Sequence, residues 1–484
     1  MAAETPFPES ERPVIVWFRD DIRLCDNPAL TAAANCGHRI ICVFVHDEES
    51  EGVRPLGGAA RWWLHGALKE LDDALRALGG RLCVHKGVAS TVMPQLAADS
   101  NAAAVYWNRR YGAVERRVDE AVKATLKAQG VEAESFNGHL LYEPWSIKTK
   151  SGTPFRVFSA FWRAAHEAGE PGQPLGVPSR INLFNGSCNQ ASTEVELIDL
   201  ALEPSSPDWA GGLRSCWRRG EAGAQAQLEF FLKEHLKEYA DLRDFPNRSA
   251  TSRLSPYLRF GNISPRQLWH AAEAAANSAT NPGLHRDLEK FRSELGWREF
   301  SYHLLYYNPQ IATQNLQSKF DAMPWRSDAD VLRAWQLGKT GYPIVDAGMR
   351  ELWTTGWMHN RVRMVVASFL VKHLLIDWRQ GETWFWDTLV DADPANNAAS
   401  WQWVAGSGAD AAPYFRVFNP VLQGEKFDPD GRYVKRWLPE LADVSPSVIH
   451  RPWQLGSKVE AYAGRIVEHD LARRRALDAF KGLS

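Results

Sequence analysis

Several features that would identify common classes of enzyme are missing from this chain of 484 residues. There is no HExxH, GxSxG, GxGxxG or Walker sequence, so zinc proteases, α/β-hydrolases and the motif-bearing nucleotide binders have no sequence support. The six cysteines form no CxxC pair and have no histidine at zinc spacing. We therefore expect no metal site and six free thiols in a reducing compartment.

Long apolar runs are also missing. The longest, such as Met364–Leu370, are too short to cross a bilayer. The acidic, proline-rich start excludes a signal peptide, so we expect a cytoplasmic protein with no membrane partner. Nothing predicts an obligate protein partner, and a monomer is expected. Because the net charge is only −2, any DNA site must be a local basic patch.

The first part of the chain, residues 13–140, alternates between strand and helix signals. This alternation predicts a Rossmann-like parallel sheet with helices on both faces. The predicted strands are Val14–Phe18, Ile40–Val45, Arg81–His85, Ala103–Trp107 and 131–136, and the predicted helices are 59–78 and 115–129.

The rest of the chain has a different pattern. Residues 141–225 are rich in Gly, Pro and Ser, which predicts an interdomain linker with a few helical turns, one of them at 156–168. From 226 to 484 apolar residues recur every three or four positions, which predicts an all-helical domain. The expected fold class is α/β plus all-α.

The segment Asp391–Trp403 is the most informative part of the chain. It holds acids, amides and indoles in thirteen residues, and 21 Trp occur in the whole sequence. Filling a large core explains some of these rings, but those with polar neighbours suit stacking on a flat ligand. Acids and amides can bind the edge of a polar ring, while indoles stack or pass electrons. The segment therefore indicates a redox cofactor.

Two further clusters could bind ligands. Hydroxyls, amides and one arginine in Thr251–Leu258 precede a helix, which suits an anion such as a pyrophosphate or, alternatively, a simple helix cap. Glu294, Trp297 and Arg298 occupy adjacent helical positions. At these positions the side chains can hydrogen-bond to a nucleic-acid base and stack on it, or they can form ordinary surface ion pairs.

A third cluster precedes a strongly apolar helix. Asn360 and Met364 share a helix face, so an amide and a thioether could meet one ligand. Arg363 could pair with Asp391 or Asp393, and a lone histidine such as His359 is more often a core residue than a catalyst. A redox-cofactor enzyme or a light-responsive sensor fits these residues better than a helical scaffold.

Together with Gly338–Ala347 and Asp391–Pro420, these clusters resemble the DNA photolyase/cryptochrome family, and Trp17–Asn27 is similar to that family's opening strand and turn. The resemblance covers nearly the whole chain and is strongest to bacterial class I-related or class III photolyases for cyclobutane pyrimidine dimers. It implies FAD in the helical domain and UV-damaged DNA as partner. It also implies light-driven electron transfer from reduced FAD to a flipped-out dimer.

The resemblance implies roles for individual residues. Asn396 stands where the family places the residue that faces flavin N5, and an amide there favours the reduced flavin. The phosphate and ribityl contacts match Tyr239, Thr251, Ser252, Arg253, Leu254 and Ser255, and the groups around the isoalloxazine match Asn360, Arg363, Asp391, Asp393 and Asn396.

Electron transfer and substrate binding are implied in the same way. Trp401, Trp378 and Trp325 match the family's chain of three indoles from flavin to surface. Histidines replace Asn360 and Met364 in (6-4) photolyases, which argues against (6-4) repair. The catalytic group is Glu294, Asn360, Met364 and Asn396, and the DNA and lesion contacts are Arg243, Trp297, Trp403, Arg361 and Arg416.

An antenna chromophore is expected in the α/β domain, near Asn108 and Glu115, where the acid could accept from a pterin amine. We expect methenyltetrahydrofolate, with 8-hydroxy-deazaflavin or no antenna as alternatives. Ala312 and Thr313 stand where folate-binding relatives place a Cys and a neighbouring Lys.

A cryptochrome-like blue-light photoreceptor is the alternative function. The residues after Asn419-Pro420 show helical signals rather than the pattern of a long disordered tail. Together with Asn396, this favours repair over signalling.

Overall fold

A five-stranded parallel sheet forms the first part of the computed structural model, which describes residues 12–186, 193–278, 284–411, 415–459 and 461–483, the side chains of 457–459 aside. The strand order is β3-β2-β1-β4-β5. The strands are β1 (Val14–Phe18), β2 (Ile40–His46), β3 (Leu82–Lys86), β4 (Ala104–Asn108) and β5 (Glu132–Phe136).

Helices cover both faces of this sheet. They are α1 (Pro28–Asn35), α2 (Gly58–Ala77), α3 (Ala89–Asp99) and α4 (Ala113–Ala128). All five residues of β1 are buried, and alternate side chains enter different cores, Val16 on one face and Trp17 on the other. This explains why the strand reads as a continuous apolar run.

Residues 141–225 hold a few short helices separated by irregular segments, and most of the chain that follows is helical. Helix α7 spans residue 226, the predicted start of the helical domain. The helices are α5 (Phe158–Glu167), α6 (Gly211–Cys216), α7 (Glu221–Glu234), α8 (Tyr239–Leu242), α9 (Ser255–Arg259), α10 (Pro265–Ser278), α11 (Leu284–Tyr307), α12 (Ala329–Gln336), α13 (Pro343–Thr355), α14 (Asn360–Ser368), α15 (Trp378–Thr388), α16 (Asn396–Ala405), α17 (Pro420–Phe427), α18 (Arg432–Trp437) and α19 (His469–Lys481).

Most predicted elements are confirmed within one or two residues, and the fold class is confirmed. Helix α3 was not predicted; it contains Pro94, which obscures its helical pattern. The domain boundaries remain predictions. Among the described residues no helix is long and apolar enough to cross a membrane.

The prediction of six free thiols is wrong at Cys83. Cys25, Cys36, Cys42 and Cys216 are free, whereas Cys83 is disulfide-bonded. Cys188 lies outside the described residues. Sequence spacing identifies zinc sites, but it cannot show which distant cysteines the fold brings together.

Candidate functional site

A cavity of about 590 Å³ opens between the helices of the second, largely helical part of the chain. Helices α8, α9, α11, α14 and α16 contribute to its wall. It brings together most of the predicted site residues: Tyr239, Arg243, Ser252, Leu254, Ser255, Glu294, Trp297, Asn360, Arg361, Arg363, Met364, Asp391, Asp393, Asn396, Trp401 and Trp403. Its volume lies within the range of ligand and cofactor sites.

Among the described residues, three predicted contacts are not part of this wall. Thr251 is one. The guanidinium of Arg253 lies 4.4 Å from the ring centroid of Trp217 and 5.1 Å from that of Trp357, so it packs between two indoles. Arg416 is exposed, and its carbonyl accepts a hydrogen bond from the ammonium of Lys372. Their predicted contacts to phosphate or DNA stay predictions.

Asp391 anchors one side of the cavity. Its Oδ2 accepts hydrogen bonds from Arg363 Nη2 at 2.8 Å and from the Ser255 hydroxyl at 2.6 Å. Arg363 also donates from Nε to the carbonyl of Met358 at 2.7 Å, which fixes its planar group. The other oxygen, Oδ1, is buried without a partner among the described residues. A buried unpaired acceptor at a cavity wall is a binding position for a ligand donor.

Both carboxylate oxygens of Asp393 have partners within the protein. Its Oδ1 accepts from the backbone N–H groups of Ala395 and Asn396, at 2.9 and 2.7 Å, and from the Asn396 amide at 2.9 Å. Its Oδ2 accepts from the Tyr302 hydroxyl at 2.7 Å. The side chain therefore organises the start of α16, and the Asn396 amide is turned toward it.

Asn397, which the sequence analysis did not single out, also lines the cavity. It is buried, and its Nδ2 donates to the carbonyl and the Oε1 of Glu382, at 3.0 and 2.9 Å. Two adjacent asparagines gave no sequence signal to tell them apart. The structure shows that they differ in partner: the Asn397 amide is donated to Glu382, whereas the Asn396 amide is donated to Asp393.

The three predicted electron-transfer indoles differ in depth. Trp401 and Trp378 are buried, and Trp325 is partly buried. Trp401 packs against Gly381, one turn after Trp378 on α15, where an added Cβ would lie 2.1 Å from the Trp401 ring. Trp335, whose ring centroid lies 6.3 Å from that of Trp401, was not predicted. No motif marks that residue.

Two partly exposed indoles stand at the cavity wall. Trp297 stacks on Phe158 of the linker helix α5, with ring centroids 3.7 Å apart and planes 10° apart. The Trp403 indole donates to the carbonyl of Asp410 at 3.1 Å, and the carboxylate of Asp410 accepts from the backbone of Phe158 at 3.2 Å. Asp410 therefore links the Trp403 indole to Phe158, and Phe158 in turn stacks on Trp297. Phe158 was not predicted, because it lies in a region with little periodicity.

Charged pairs surround these rings. Glu294 forms ion pairs with Arg243 and with Lys290, the second at 3.0 Å. Arg361 pairs with Asp244 at 2.6 Å and contacts the sulfur of Met364 at 3.8 Å. The cavity is thus lined by fixed ionic groups as well as by aromatic rings.

His359 is a structural residue. It is buried, and its Nδ1 accepts from the backbone N–H of Arg361 at the start of α14. Burial lowers the pKa of His359 to about 4. It is therefore neutral at physiological pH, which confirms the core interpretation.

A buried polar network joins the cavity to the sheet region. Arg298 donates to the carbonyl of His139 at 2.9 Å and to its Nε2 at 2.8 Å. The same Nε2 lies 2.8 Å from the hydroxyl of Tyr302, which reaches Asp393. Glu299 accepts from two backbone amides of the linker, and burial raises its pKa to about 7.

The two predicted antenna residues have different surroundings. Asn108 is buried, and its amide hydrogens are donated to Asp21 and Asn27 at 2.6 and 2.8 Å. Both amide hydrogens of Asn108 are therefore used within the sheet region. Glu115 is half-buried in the first turn of α4, close to Gly112. Glu115 is thus the freer of the two to meet a ligand.

The donor set suits a flavin better than a metal. Among the described residues, no cluster of three or more His, Cys, Asp or Glu could hold a metal ion. The unpaired Oδ1 of Asp391, the fixed Arg363 and the hydroxyl of Ser255 fit a polar ring with N–H groups and a phosphate-bearing tail.

Two family models match the chain. The model for DNA photolyase matches residues 14–179, and the model for the FAD binding domain of DNA photolyase matches residues 291–482. The deoxyribodipyrimidine photo-lyase of Agrobacterium fabrum is 48% identical over 477 residues, which is 97% of both chains. Cryptochrome-1 of Arabidopsis thaliana is 38% identical over 457 residues, covering 93% of this chain and 66% of the cryptochrome.

A solved structure agrees with this relationship. The bacterial class III photolyase from Agrobacterium tumefaciens is similar with a TM-score of 0.92 and 46% identity, over 100% of this chain and 99% of that protein.

Proposed function

This chain belongs to the DNA photolyase family, and from that premise we propose that it repairs cyclobutane pyrimidine dimers in DNA with light. One observation carries the proposal: a single cavity joins the Asp391–Arg363 pair to the two indoles Trp297 and Trp403. A cofactor held by the first group would lie against a lesion held by the second.

The chain's own residues would hold FAD in this cavity. Asp391 would accept an N–H of the flavin ring through its free Oδ1, while Arg363 keeps the carboxylate in place. Ser252, Leu254 and Ser255 line the region where the phosphate and ribityl chain would lie. When bound, reduced FAD supplies under illumination the electron that splits the cyclobutane ring. The protein orients the partners and excludes water.

The indoles would receive the damaged bases. A flipped-out dimer presents two flat ring faces and polar edges. Trp297 is backed by Phe158 and keeps its ring plane when a base stacks on it. Glu294 and Asn360 offer hydrogen bonds to base edges, and Arg243 and Arg361 supply positive charge for phosphates. The partner would be UV-damaged DNA, bound by a cytoplasmic monomer.

Trp401, Trp378 and Trp325 would return electrons to an oxidised flavin. The change from buried Trp401 and Trp378 to partly buried Trp325 supports a route that ends at solvent. Each indole can be oxidised more easily than an aliphatic or phenyl side chain.

An antenna pterin, methenyltetrahydrofolate, would bind near Glu115. Arg116 lies 4.4 Å from the ring centroid of Tyr306 beside this helix start, and Trp145 packs on the same tyrosine at 5.5 Å. A carboxylate, a guanidinium and aromatic faces can bind a flat ring with amino groups.

A repair assay with variants tests the proposal. Trp403→Ala removes a stacking surface worth about 1–3 kcal/mol per base, so binding of dimer-containing DNA should weaken roughly tenfold and repair should fall with it. Trp353→Ala is the matched control, because Trp353 is 65% exposed and stacks on Trp384. Equal repair and binding in both variants would contradict the placement of the lesion.

A further inference from the structure

Glu382 on α15 connects the cavity to the sheet region. Its side chain is only 3% exposed. On one side it accepts the amide hydrogens of Asn397, as described above. On the other, its Oε1 and Oε2 accept from Nη1 and Nη2 of Arg54, both at 2.8 Å. Arg54 lies in the connection between β2 and α2, far from the cavity in sequence.

The connection is held firmly against α15. The guanidinium of Arg54 lies 4.1 Å from the ring centroid of Trp386, whose indole donates to the carbonyl of Pro55 at 2.8 Å. The backbone N–H of Gly58 donates to Asp387 at 2.8 Å. A cation over an indole and a two-point pair to a carboxylate together leave Arg54 little freedom.

This arrangement determines which atom Asn397 offers to the cavity. Both of its amide hydrogens are donated to Glu382, so its Oδ1 is left as a hydrogen-bond acceptor. Without Arg54, Glu382 would be a buried carboxylate with no cation and would take up a proton. A protonated Glu382 can donate to Asn397 instead, which allows the amide to rotate and present its NH₂ group.

We propose that Arg54 is a positioning residue for the flavin, acting through Glu382 to hold Asn397 as an acceptor toward the cavity. An acceptor favours a ring nitrogen that carries a hydrogen, and therefore favours the reduced flavin. The inference rests on the proposed placement of FAD in this cavity and is independent of dimer repair. It gives the sheet region a direct role in the flavin site.

The test uses the full-length, FAD-loaded protein and its Arg54→Gln variant. The rate of flavin re-oxidation in air is followed in the dark by absorbance, and the flavin midpoint potential is measured alongside. Loss of the charge-assisted contact should speed re-oxidation about tenfold and lower the potential. Arg54→Lys keeps the charge but not the two-point geometry, so it should give an intermediate re-oxidation rate. If Arg54→Gln does not retain FAD, the comparison with wild type is made with Arg54→Lys.

Arg266→Gln is the matched control. Arg266 also makes a two-point pair across the same two regions, to buried Asp26 at 2.7 and 3.1 Å, but it does not reach the cavity. The rate of flavin re-oxidation in the Arg266→Gln variant should stay within about twofold of wild type, as expected when the loss of an ion pair affects only stability. An equal acceleration in both variants would overturn the proposal.

A second comparison isolates the route through Asn397. In an Asn397→Ala background, Arg54→Gln should add no further acceleration. If the two effects simply add, Arg54 acts by another route and the proposal fails. Dimer repair is measured separately, so a protein that responds to Arg54→Gln but repairs no dimers would refute only the proposed function.

Discussion

Asp391 and Asp393 are two positions apart and both buried, yet their oxygens have different partners. Asp391 keeps one oxygen free at the cavity, while Asp393 is occupied by α16 and Tyr302. Asn396 and Asn397 likewise differ in partner, since the first donates its amide to Asp393 and the second to Glu382. The sequence analysis predicted that this segment binds the cofactor, but neighbouring acids and amides look alike in sequence. Only their partners distinguish a ligand contact from a helix cap.

One prediction at the residue scale concerns Trp378. Trp378→Phe should slow photoreduction of the oxidised flavin by roughly tenfold or more, since a rise of about 1.4 kcal/mol in the barrier of one step already gives that factor. Transient absorption after a light pulse measures the rate. Trp384→Phe, on the same helix, is the control and should leave it unchanged. Equal rates in wild type and Trp378→Phe would exclude this indole from the route.

A second residue-scale prediction concerns pH. Burial lowers the pKa of His359 to about 4 in the folded protein, from about 6.5 in the unfolded chain. The unfolded state therefore binds more protons between these values, and stability is lost as the pH falls through this window. From about pH 7.5 to about pH 5.5 the loss through His359 is about 1.3 kcal/mol in the free energy of unfolding.

His359→Asn tests this contribution. Asparagine is a good helix cap, so it can accept from the Arg361 N–H without titrating. Denaturant unfolding at the two pH values should show a smaller acid loss than in wild type, by about 1.3 kcal/mol. An unchanged difference would mean that folding leaves the pKa of His359 close to its value in the unfolded chain.

At the scale of elements, regular patterns predicted the fold better than they predicted contacts. Most strands of the sheet were found because they are short apolar runs, although β5 is largely polar, and the linker helix α5 was found near its observed position. The role of α5 was not predicted, because the stacking of Phe158 on Trp297 joins residues far apart in sequence. Periodicity reports which face of an element is buried and not what covers it.

The packing of α15 against α16 gives the element-scale prediction. An Ala at Gly381 would place its Cβ 2.1 Å from the Trp401 ring. Gly381→Ala should therefore destabilise the protein by about 1–3 kcal/mol and displace the indole, slowing photoreduction. In Gly211→Ala the added Cβ meets nothing within 4 Å, so this control should keep wild-type stability and rate. Thermal unfolding and transient absorption measure both effects, and equal behaviour of the two variants would contradict the packing.

At the scale of the whole molecule, the sheet region and the cavity are joined through buried charged groups. Arg259 donates to the carbonyl of Ala392 and pairs with Asp20 at 2.8 Å, and Arg298 reaches His139. These pairs link residues that are more than a hundred positions apart, so no local pattern could predict them.

In the proposed function, the cavity places a flavin against a damaged pair of bases. The most direct measurement illuminates the reduced, FAD-loaded protein with an oligonucleotide that contains one thymine dimer and follows the ultraviolet absorbance of the restored thymines. We expect recovery in the light and none in the dark or without FAD. Binding of the dimer with no recovery under light would contradict it and would favour a light-receptor function.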